Sequence, residues 1–458
     1  MRLKPLLPAS PFLLLSFSFL LLLTFSVQAS PTGNFLTYLP LIRGGNEQAS
    51  PFSIVFVSRQ IPDEGSVYWE VPAGMPGVGP WSRFQVAAPG KLLVREPDGT
   101  IRTLIDGANP TAASKFLMDV SAPAVSFDGT VIAFAGFPQS AYSPNDSNPV
   151  GNPGAWRIYT IRADGTNHQQ VTTTAIDNDD LNMSQFGDAA GVFNGYDDTD
   201  PVWLPDGRIV FSSTRWPSQA QYSGVRTSNL YIVDADGTDM RRITSERNGA
   251  DRPLIDPLTG KIVYARWWRN HRFATDDMDT IPGNGGYLQH LGLTTDRSNH
   301  VGGPDNLWRN LWNPTAINPD GTGLELWAGN WQAHFLYGGA FTDDGQLLAN
   351  YFPMINMTEA GGFGGIRRIA RGAGGYEGVI GITYLTLDYV NTDPPSYGIF
   401  NGNYAADPDA FPDGSLVLSW AEGITQDYGL YTLDANGDNL TLLYDNPGTT
   451  ELHARIIR

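Results

Sequence analysis

The sequence predicts an all-β fold: a six-bladed β-propeller of four-stranded antiparallel blades. Three observations support this prediction. The chain of 458 residues holds 51 Gly and 33 Pro, which indicates many turns between strands. A phrase of one turn and one apolar strand recurs along the chain, most clearly as Leu204-Pro205-Asp206-Gly207 before Ile209-Val210-Phe211. A strand without a partner in its own repeat is found at each end of the chain, as a closed ring requires.

The first recurring phrase is a tight turn ending in Gly. Asp-Gly turns favour hairpins because Gly tolerates a positive φ. Each copy follows a short alternating segment such as Asp200-Pro201-Val202-Trp203. The phrase therefore predicts strand a, a turn and strand b of one blade. The turns lie at 126–129, 204–207, 257–260, 342–345 and 411–414.

The second recurring phrase supplies the other half of a blade. An apolar strand such as Leu230-Tyr231-Ile232-Val233 leads into Ala235-Asp236-Gly237-Thr238, and another strand follows. These are strands c and d around a second tight turn, and the four strands together form the meander of a propeller blade. Further copies of this turn lie at 97–100, 163–166, 319–322 and 435–437.

The number of blades follows from the spacing of these units. Five units start near residues 121, 200, 251, 338 and 406. The C-terminal segment 451–458 resembles a strand a with no successor, and 53–57 resembles a strand b with no predecessor. Joining the two ends gives a sixth blade and removes the free sheet edge. Five or seven blades stay open as alternatives, because the outer strands of the fourth unit, around 366–369, are weakly marked.

The repeats resemble a known family. Pro201 to Phe211 and Leu230 to Thr238 resemble the PD40 (WD40-like) repeats of TolB-like β-propellers, and the resemblance covers residues 51–458. It implies the propeller fold, whereas the functions of such propellers range from transport complexes and peptidase subunits to lyases and binding proteins. Pro201 to Phe211 also resembles the propeller of the hydrazine synthase alpha subunit. Since the chain has no Cys, the covalent haem chemistry of that subunit is not implied.

The N-terminus indicates export. Arg2 and Lys4 precede an uncharged apolar run, and Val27-Gln28-Ala29 is a small-x-small cleavage box, the pattern of a secretory signal peptide. We therefore predict a signal peptide at 1–29, a linker at 30–50 and the β-propeller domain at 51–458, with a secreted or periplasmic location and no membrane span after cleavage. An uncleaved anchor is the alternative, although the apolar run is short for a span.

Charge and composition exclude several classes of function. The chain carries 29 Lys and Arg against 47 Asp and Glu, a net charge of −18, which argues against binding nucleic acid or anionic lipid. The lack of Cys excludes disulfides, thiolate metal sites and a Cys nucleophile. No G-x-S-x-G nucleophile elbow and no P-loop occur in the sequence, so neither of these motifs points to an enzyme.

The predicted insertions all lie on one side of the ring. In an up-and-down blade, the a–b and c–d turns share one face, and the b–c and d–a connections share the other. The tight turns belong to the first group, and the long segments belong to the second. We call these the trimmed face and the built-up face, and we expect a binding site on the built-up face at the mouth of the channel. The long segments are 59–90, 136–155, 173–199, 213–227, 266–307, 352–363 and 379–405.

One group of candidate ligand-binding residues combines aromatic and cationic side chains. Trp and Arg suit stacking on sugars, peptides or aromatic ligands, and Arg suits anions. The alternative is that the aromatics pack a long loop onto the ring. The candidates are Arg266, Trp267, Trp268, Arg269 and His271, together with Trp331 and His334.

Two further groups suggest metal ions. Asp177, Asp179 and Asp180 suit Ca²⁺, but Leu181 occupies a ligand position of the expected loop, which favours a solvated acidic loop. His271, His300 and His334 could bind a transition metal, although no H-x-x-x-H pair is present. The sequence therefore requires no cofactor and leaves Ca²⁺ or a transition metal open.

The function that these patterns favour is binding without catalysis. We expect an exported module that binds a protein partner or a small or glycan ligand through the built-up face. A metal-assisted lyase or hydrolase acting on sugar polymers at the same face is the alternative. A scaffold subunit in a larger extracytoplasmic complex is a third.

Overall fold

Six four-stranded antiparallel sheets form a ring, as predicted. The first strand of each sheet contacts the first strand of the next, all the way around the ring. The computed structural model describes residues 50–61, 84–142, 154–173, 187, 193, 195–220, 226–269, 310–328, 336–351, 365–373, 381–386, 389, 403–422 and 427–458. The predicted signal peptide and nearly all of the linker lie outside these residues and stay predictions.

The blades follow one another in chain order, each with its first strand next to the axis. Blade 1 contains β4 (Leu117–Val125), β5 (Val131–Pro138), β6 (Arg157–Arg162) and β7 (Gln169–Gln170), with a short 3-10 turn at Gln139–Ala141. Blade 2 contains β8 (Asp198–Trp203), β9 (Ile209–Ser213), β10 (Asn229–Val233) and β11 (Arg241–Arg242). Blade 3 contains β12 (Ala250–Ile255), β13 (Ile262–Arg269), β14 (Asn310–Ile317) and β15 (Glu325–Leu326).

The other three blades complete the ring. Blade 4 contains β16 (Leu336–Phe341), β17 (Leu347–Tyr351), β18 (Ile366–Ile369) and β19 (Ile382–Tyr384). Blade 5 contains β20 (Tyr404–Ala410), β21 (Leu416–Ala421), β22 (Gly429–Leu433) and β23 (Thr441–Tyr444). Blade 6 joins β24 (Thr449–Ile457) to β1 (Ser53–Gln60), β2 (Lys91–Arg95) and β3 (Ile101–Asp106).

The ring is closed by the two ends of the chain, and this prediction is confirmed. Strand β24 pairs antiparallel with β1, from Ser53 opposite Ile457 to Gln60 opposite Thr449. The C-terminal strand therefore supplies strand a to three strands from the N-terminal region. Because of this pairing β1 is an inner strand of the sheet, and β24 takes the axial position that the first strand has in the other blades.

The predicted tight turns depend on glycine. In the c–d turns, Gly99, Gly165, Gly237, Gly321 and Gly437 all have φ between 86° and 93°, a region that side chains with a Cβ rarely adopt. The Asp before the Gly often caps the turn as well. Asp236 Oδ1, for example, accepts a hydrogen bond from the backbone N–H of Thr238 at 3.0 Å.

Apolar clusters fill the spaces between neighbouring blades. The cluster between blades 1 and 2 contains Phe137 and Trp156 packed with Trp203 and Phe211. Equivalent clusters lie between each further pair of blades, and the largest, between blades 6 and 1, continues around the axis to blades 3 and 4. Both faces of each blade are therefore buried, and the chain needs no second layer.

The predicted asymmetry of the two faces is confirmed by the strand order, with two corrections. The a–b connections are all short, whereas b–c and d–a connections such as 61–90 and 270–309 are long. The predicted insertion 379–405 contains β19 and the start of β20, so the d–a connection is 385–403, and the c–d connection of blade 4, 370–381, is longer than the other turns of the trimmed face. The prediction missed β19 because the strand has only three residues, of which Thr383 and Tyr384 are exposed and Ile382 is partly exposed, so it has no buried apolar face.

The second correction concerns residues 266–269, which the sequence placed in a loop. They continue β13 and pair with Asn310–Asn313 of β14, so that Trp267 lies opposite Trp312. Cross-strand aromatic pairs of this kind stabilise a sheet, which explains why the strand extends past its apolar core. Among the described residues, no helix is long and apolar enough to cross a membrane.

Candidate functional site

A repeated backbone irregularity points side chains toward the axis. The first strand of every blade contains a register shift of the β-bulge type. At the shift, the chain takes a positive φ, which re-aims the side chain. Pro follows the bulge residue in four blades. Pro has no backbone N–H, and at a bulge this costs the sheet no hydrogen bond. The six positions are Ala122, Asp200, Arg252, Gly338, Asp407 and His453.

Arg252 connects these positions across the ring. Its Nε lies 3.5 Å from Oδ1 of Asp200 in blade 2, and its Nη1 lies 3.8 Å from Oδ1 of Asp407 in blade 5. The same Nη1 lies 3.3 Å from Nδ1 of His453 in blade 6. Since blade 6 is opposite blade 3, the guanidinium spans the axis. We call these four side chains, together with Ser121, the axial network.

The axial network is almost completely withdrawn from solvent. Asp200 and Arg252 are 5% exposed, and Asp407 and His453 are 0% exposed. Burial of charges at this level requires partners, and the ion pairs across the blades supply them. The network therefore closes the middle of the channel with charged groups instead of apolar ones.

Asp407 is the best-anchored member of the network. Its backbone N–H donates to Oδ1 of Asn350 at 2.8 Å, and its Oδ1 accepts from Nδ2 of Asn350 at 3.3 Å. Burial by itself disfavours the carboxylate, but His453 and the guanidinium of Arg252 outweigh it, so that the pKa of Asp407 lies far below its ordinary value. Asp407 is therefore ionised at any physiological pH.

The two ring nitrogens of His453 lie near two different members of the axial network. Its Nδ1 lies 2.8 Å from Oδ2 of Asp407, and its Nε2 lies 3.5 Å from Oγ of Ser121 in blade 1. Burial lowers the pKa of His453, the carboxylate of Asp407 opposes this, and the charges of Arg252 and Arg455 add to the lowering. Burial is therefore the largest influence on the protonation of this imidazole.

An aromatic series leads from the built-up face to the network. Trp267, at the end of β13, stacks on Trp312 with centroids 5.1 Å apart, and Trp312 meets Tyr337 edge-on at 5.1 Å. Arg252 lies over the ring of Tyr337 at 5.8 Å. Trp267 is only 5% exposed, so within the described structure its ring packs against other aromatics.

Arg266 is the candidate ligand-binding residue whose described side chain reaches the surface. Its side chain is 37% exposed, and its Nε donates to Oε2 of Glu246 at 2.8 Å. Glu246 also accepts from the hydroxyl of Tyr264 at 2.9 Å. The guanidinium is thereby held in place while part of it faces solvent on an otherwise acidic protein.

The other predicted site residues cannot be placed. Trp268 and Arg269 belong to β13, but their side chains are not described. Among the residues that the structure describes, no group of three or more metal-ligating side chains occurs. The candidates outside the described ranges are His271, His300, Trp331, His334, Asp177, Asp179 and Asp180.

Sequence reasoning missed the axial network. Asp200 was assigned to the strand a motif without a role, and Ser121, Arg252, Asp407 and His453 were not singled out. A weak signal existed, because a residue followed by Pro precedes the first tight turn in four units, as in Asp407-Pro408. The residue before Pro differs from unit to unit, so the axial positions cannot be recognised as a repeated residue type.

Comparison with solved structures finds similar chains, and the first of the following two supports the fold. Hydrazine synthase of Kuenenia stuttgartiensis is similar over 89% of this chain and 46% of that chain, with 14% identity and a TM-score of 0.55. TolB of Acinetobacter baumannii is similar over 89% and 66%, with 12% identity and a TM-score of 0.47. The chain thus spans about half the length of the hydrazine synthase chain.

Sequence comparison adds no family assignment. No protein-family model matches the chain, and no curated protein matches it. The six-bladed propeller is therefore established by its own strand order, and membership of the PD40 repeat family stays a prediction.

Proposed function

We propose that this chain is an extracytoplasmic TolB-like β-propeller that binds a protein partner or a small ligand at its built-up face. The observation that carries the proposal is the distribution of the connections: long segments leave one face of the ring, and short glycine turns close the other except at the β18–β19 connection, 370–381. Loops on a rigid scaffold are where proteins place binding residues. The secreted or periplasmic location rests on the predicted signal peptide.

Arg266 supports an anionic ligand group at this face. Its guanidinium is partly exposed and is oriented by Glu246. Guanidinium groups recognise carboxylate and sulfate oxygens through paired N–H donors. Acidic oligosaccharides and acidic peptides are therefore the ligand classes that we propose first.

A matched pair of arginines tests the proposal. Arg208 is also a partly exposed arginine paired with a carboxylate, Asp206, but it lies in a turn of the trimmed face. Calorimetric titration with a panel of acidic oligosaccharides and peptides should find a ligand whose Kd rises about tenfold in Arg266→Ala, as expected for one charged hydrogen bond. The Kd should change less than about twofold in Arg208→Ala. An equal effect of both substitutions would contradict a site on the built-up face.

The metal-dependent enzyme remains a separate proposal, because its residues lie outside the described ranges. Elemental analysis of protein purified from its native compartment tests it directly. Stoichiometric metal that disappears in His334→Ala would favour the lyase or hydrolase alternative over binding without catalysis.

N-terminal sequencing of the exported protein tests the predicted cleavage before Ser30.

A further inference from the structure

Two cavities lie side by side on the trimmed face, one on each side of the tight a–b turn of blade 5. Phe411, Pro412 and Asp413 of this turn line both of them. The first cavity lies between blades 5 and 6 and has a volume of about 350 Å³, and the second lies between blades 4 and 5 and has a volume of about 250 Å³. Together they fall within the size range of ligand sites.

The closure of the ring explains the first cavity. In the other blades a tight turn connects strand a to strand b, whereas in blade 6 these strands are β24 and β1, which no such turn joins. Residues 50–52 lead into β1 at this end of the blade and line the cavity. Phe52 lies against Phe411 of blade 5, with ring centroids 6.3 Å apart. The cavity therefore stands where the repeat lacks its usual turn.

The first cavity has apolar walls. Its apolar lining residues are Pro51, Phe52, Phe411, Pro412 and Leu433, of which the two prolines are exposed. Apolar surface in an open groove is stabilised when an apolar group of a partner covers it and excludes water. This cavity therefore suits an aromatic or branched apolar side chain.

The second cavity has acidic walls. Asp343 and Asp344 of blade 4 and Asp413 of blade 5 line it, and all three are exposed. A hydrogen bond from the hydroxyl of Thr342 lowers the pKa of Asp344, and one from the hydroxyl of Ser415 lowers the pKa of Asp413. Asp344 and Asp413 are therefore ionised at neutral pH.

The cations near the second cavity already have partners. Arg458 forms an ion pair with Asp343, and Arg368, which lines the cavity, donates from Nη1 to a backbone carbonyl of blade 5 at 2.9 Å. Within the described part of the chain, no ion pair includes Asp344 or Asp413. Two ionised carboxylates therefore face the cavity without a cation of their own, which favours a cationic group of a ligand.

An extended segment can enter both cavities at once. Side chains two positions apart on an extended chain point to the same side and lie about 7 Å apart. Because the same three residues of one turn line both cavities, the cavities are separated by the width of that turn. An apolar residue and a Lys or Arg two positions away therefore match the two sets of walls.

We propose that the two cavities bind an exposed basic segment of a partner protein in extended form. Its aromatic or branched apolar side chain lies between blades 5 and 6, and its Lys or Arg side chain lies between blades 4 and 5. The inference goes beyond the function proposed above, because it concerns the opposite face and a ligand of opposite charge. The net charge of −18 on the whole chain also favours the approach of a basic partner.

Selection from a library of random seven-residue peptides displayed on phage tests the ligand class. The intact protein is the bait, and the enriched sequences are read. We expect enrichment of sequences in which Lys or Arg stands two positions from an aromatic or branched apolar residue. No enrichment, or enrichment without basic residues, would overturn the proposal.

A matched pair of aspartates locates the site. Asp128 caps the a–b turn of blade 1 as Asp413 caps that of blade 5, each accepting a hydrogen bond from a serine hydroxyl at 2.6 Å, but Asp128 lines neither cavity. Asn at either position keeps an oxygen for the turn and removes the charge. Fluorescence anisotropy with an enriched peptide should give a Kd about tenfold higher in Asp413→Asn, as expected for one charged hydrogen bond. The Kd should change less than about twofold in Asp128→Asn, and equal effects would place the peptide elsewhere and overturn the proposal.

Cross-linking locates the apolar side chain in the unsubstituted protein. An enriched peptide with benzoylphenylalanine in place of its apolar residue is irradiated with the protein, and the labelled segment is identified by mass spectrometry. We expect labelling within 50–52 or 411–415, which line the first cavity, and the same labelling in Arg266→Ala. That variant changes the built-up face, so failure of the function proposed there and failure of this inference give different results. Labelling of the built-up connections instead would overturn the inference.

Discussion

Glu451 makes the stability of the ring closure depend on pH. It lies on β24 at 0% exposure, and its Oε1 accepts from the hydroxyls of Ser58 on β1 and Thr449, each at 2.8 Å. None of the ion pairs in the described part of the chain includes Glu451. Burial raises the pKa of Glu451 from 4.5 to about 8, although the hydrogen bonds from Thr449 and Ser58 oppose the rise. The folded protein therefore holds a proton there that the unfolded chain releases.

The sign and size of the effect follow from linkage. A carboxyl whose pKa is higher in the folded state contributes its full stability below pH 4.5 and loses it as the pH rises through about 8. Each pKa unit corresponds to about 1.4 kcal/mol, so the free energy of unfolding should fall by about 5 kcal/mol across this range. Glu451→Gln cannot ionise and should remove that part of the pH dependence.

Denaturant titration with tryptophan fluorescence between pH 5 and pH 8 measures this difference. The control is Glu325→Gln, because Lys261 lowers the pKa of Glu325 and moves its titration below this window. The control should keep the wild-type pH dependence. Equal slopes of unfolding free energy against pH in wild type and Glu451→Gln would refute the reasoning.

Two further predictions concern the backbone of the ring. Gly339→Ala should cost more than about 3 kcal/mol in urea denaturation, because a Cβ there would lie 1.7 Å from the carbonyl oxygen of Leu348, whereas Gly372→Ala, with open space around it, should cost about 1 kcal/mol. Ending the chain after Gly448 removes β24 and exposes β1 as an edge, so limited proteolysis should be much faster. A synthetic peptide of residues 449–458 should restore resistance, and a truncated chain as resistant as the full one would contradict the closure.

The fold could be predicted because its main signals are local. The tight turns need a positive φ, and Gly at positions such as 207 and 237 meets that need within four residues of sequence. The closing strands were also visible, because 53–57 and 451–458 each lacked a partner in their own unit. The outer strand β19 was missed, since it has three residues and little apolar pattern.

The axial network could not be predicted because its residues are far apart in the sequence. Arg252 and His453 are 201 positions apart, and they meet only because blades 3 and 6 face each other across the axis. The same is true of Ser121 and Asp407, which approach His453 from blades 1 and 5. Arg266 and Trp267 were identified by residue type, but their position on β13 depended on pairing with Trp312, 45 residues later.

The single glycine position at the axis has a consequence for the evolution and design of this ring. A Cβ at Gly338 would lie 3.3 Å from Cγ and Cδ of Arg252, so the arginine occupies space that the neighbouring blade 4 leaves empty. The six equivalent positions surround the axis, and Arg252 is the longest side chain among them. Identical copies of blade 3 would bring several guanidinium groups together there. The repeats are therefore equivalent in backbone but not interchangeable, and a symmetric consensus version of this chain would need a different set of residues along the axis.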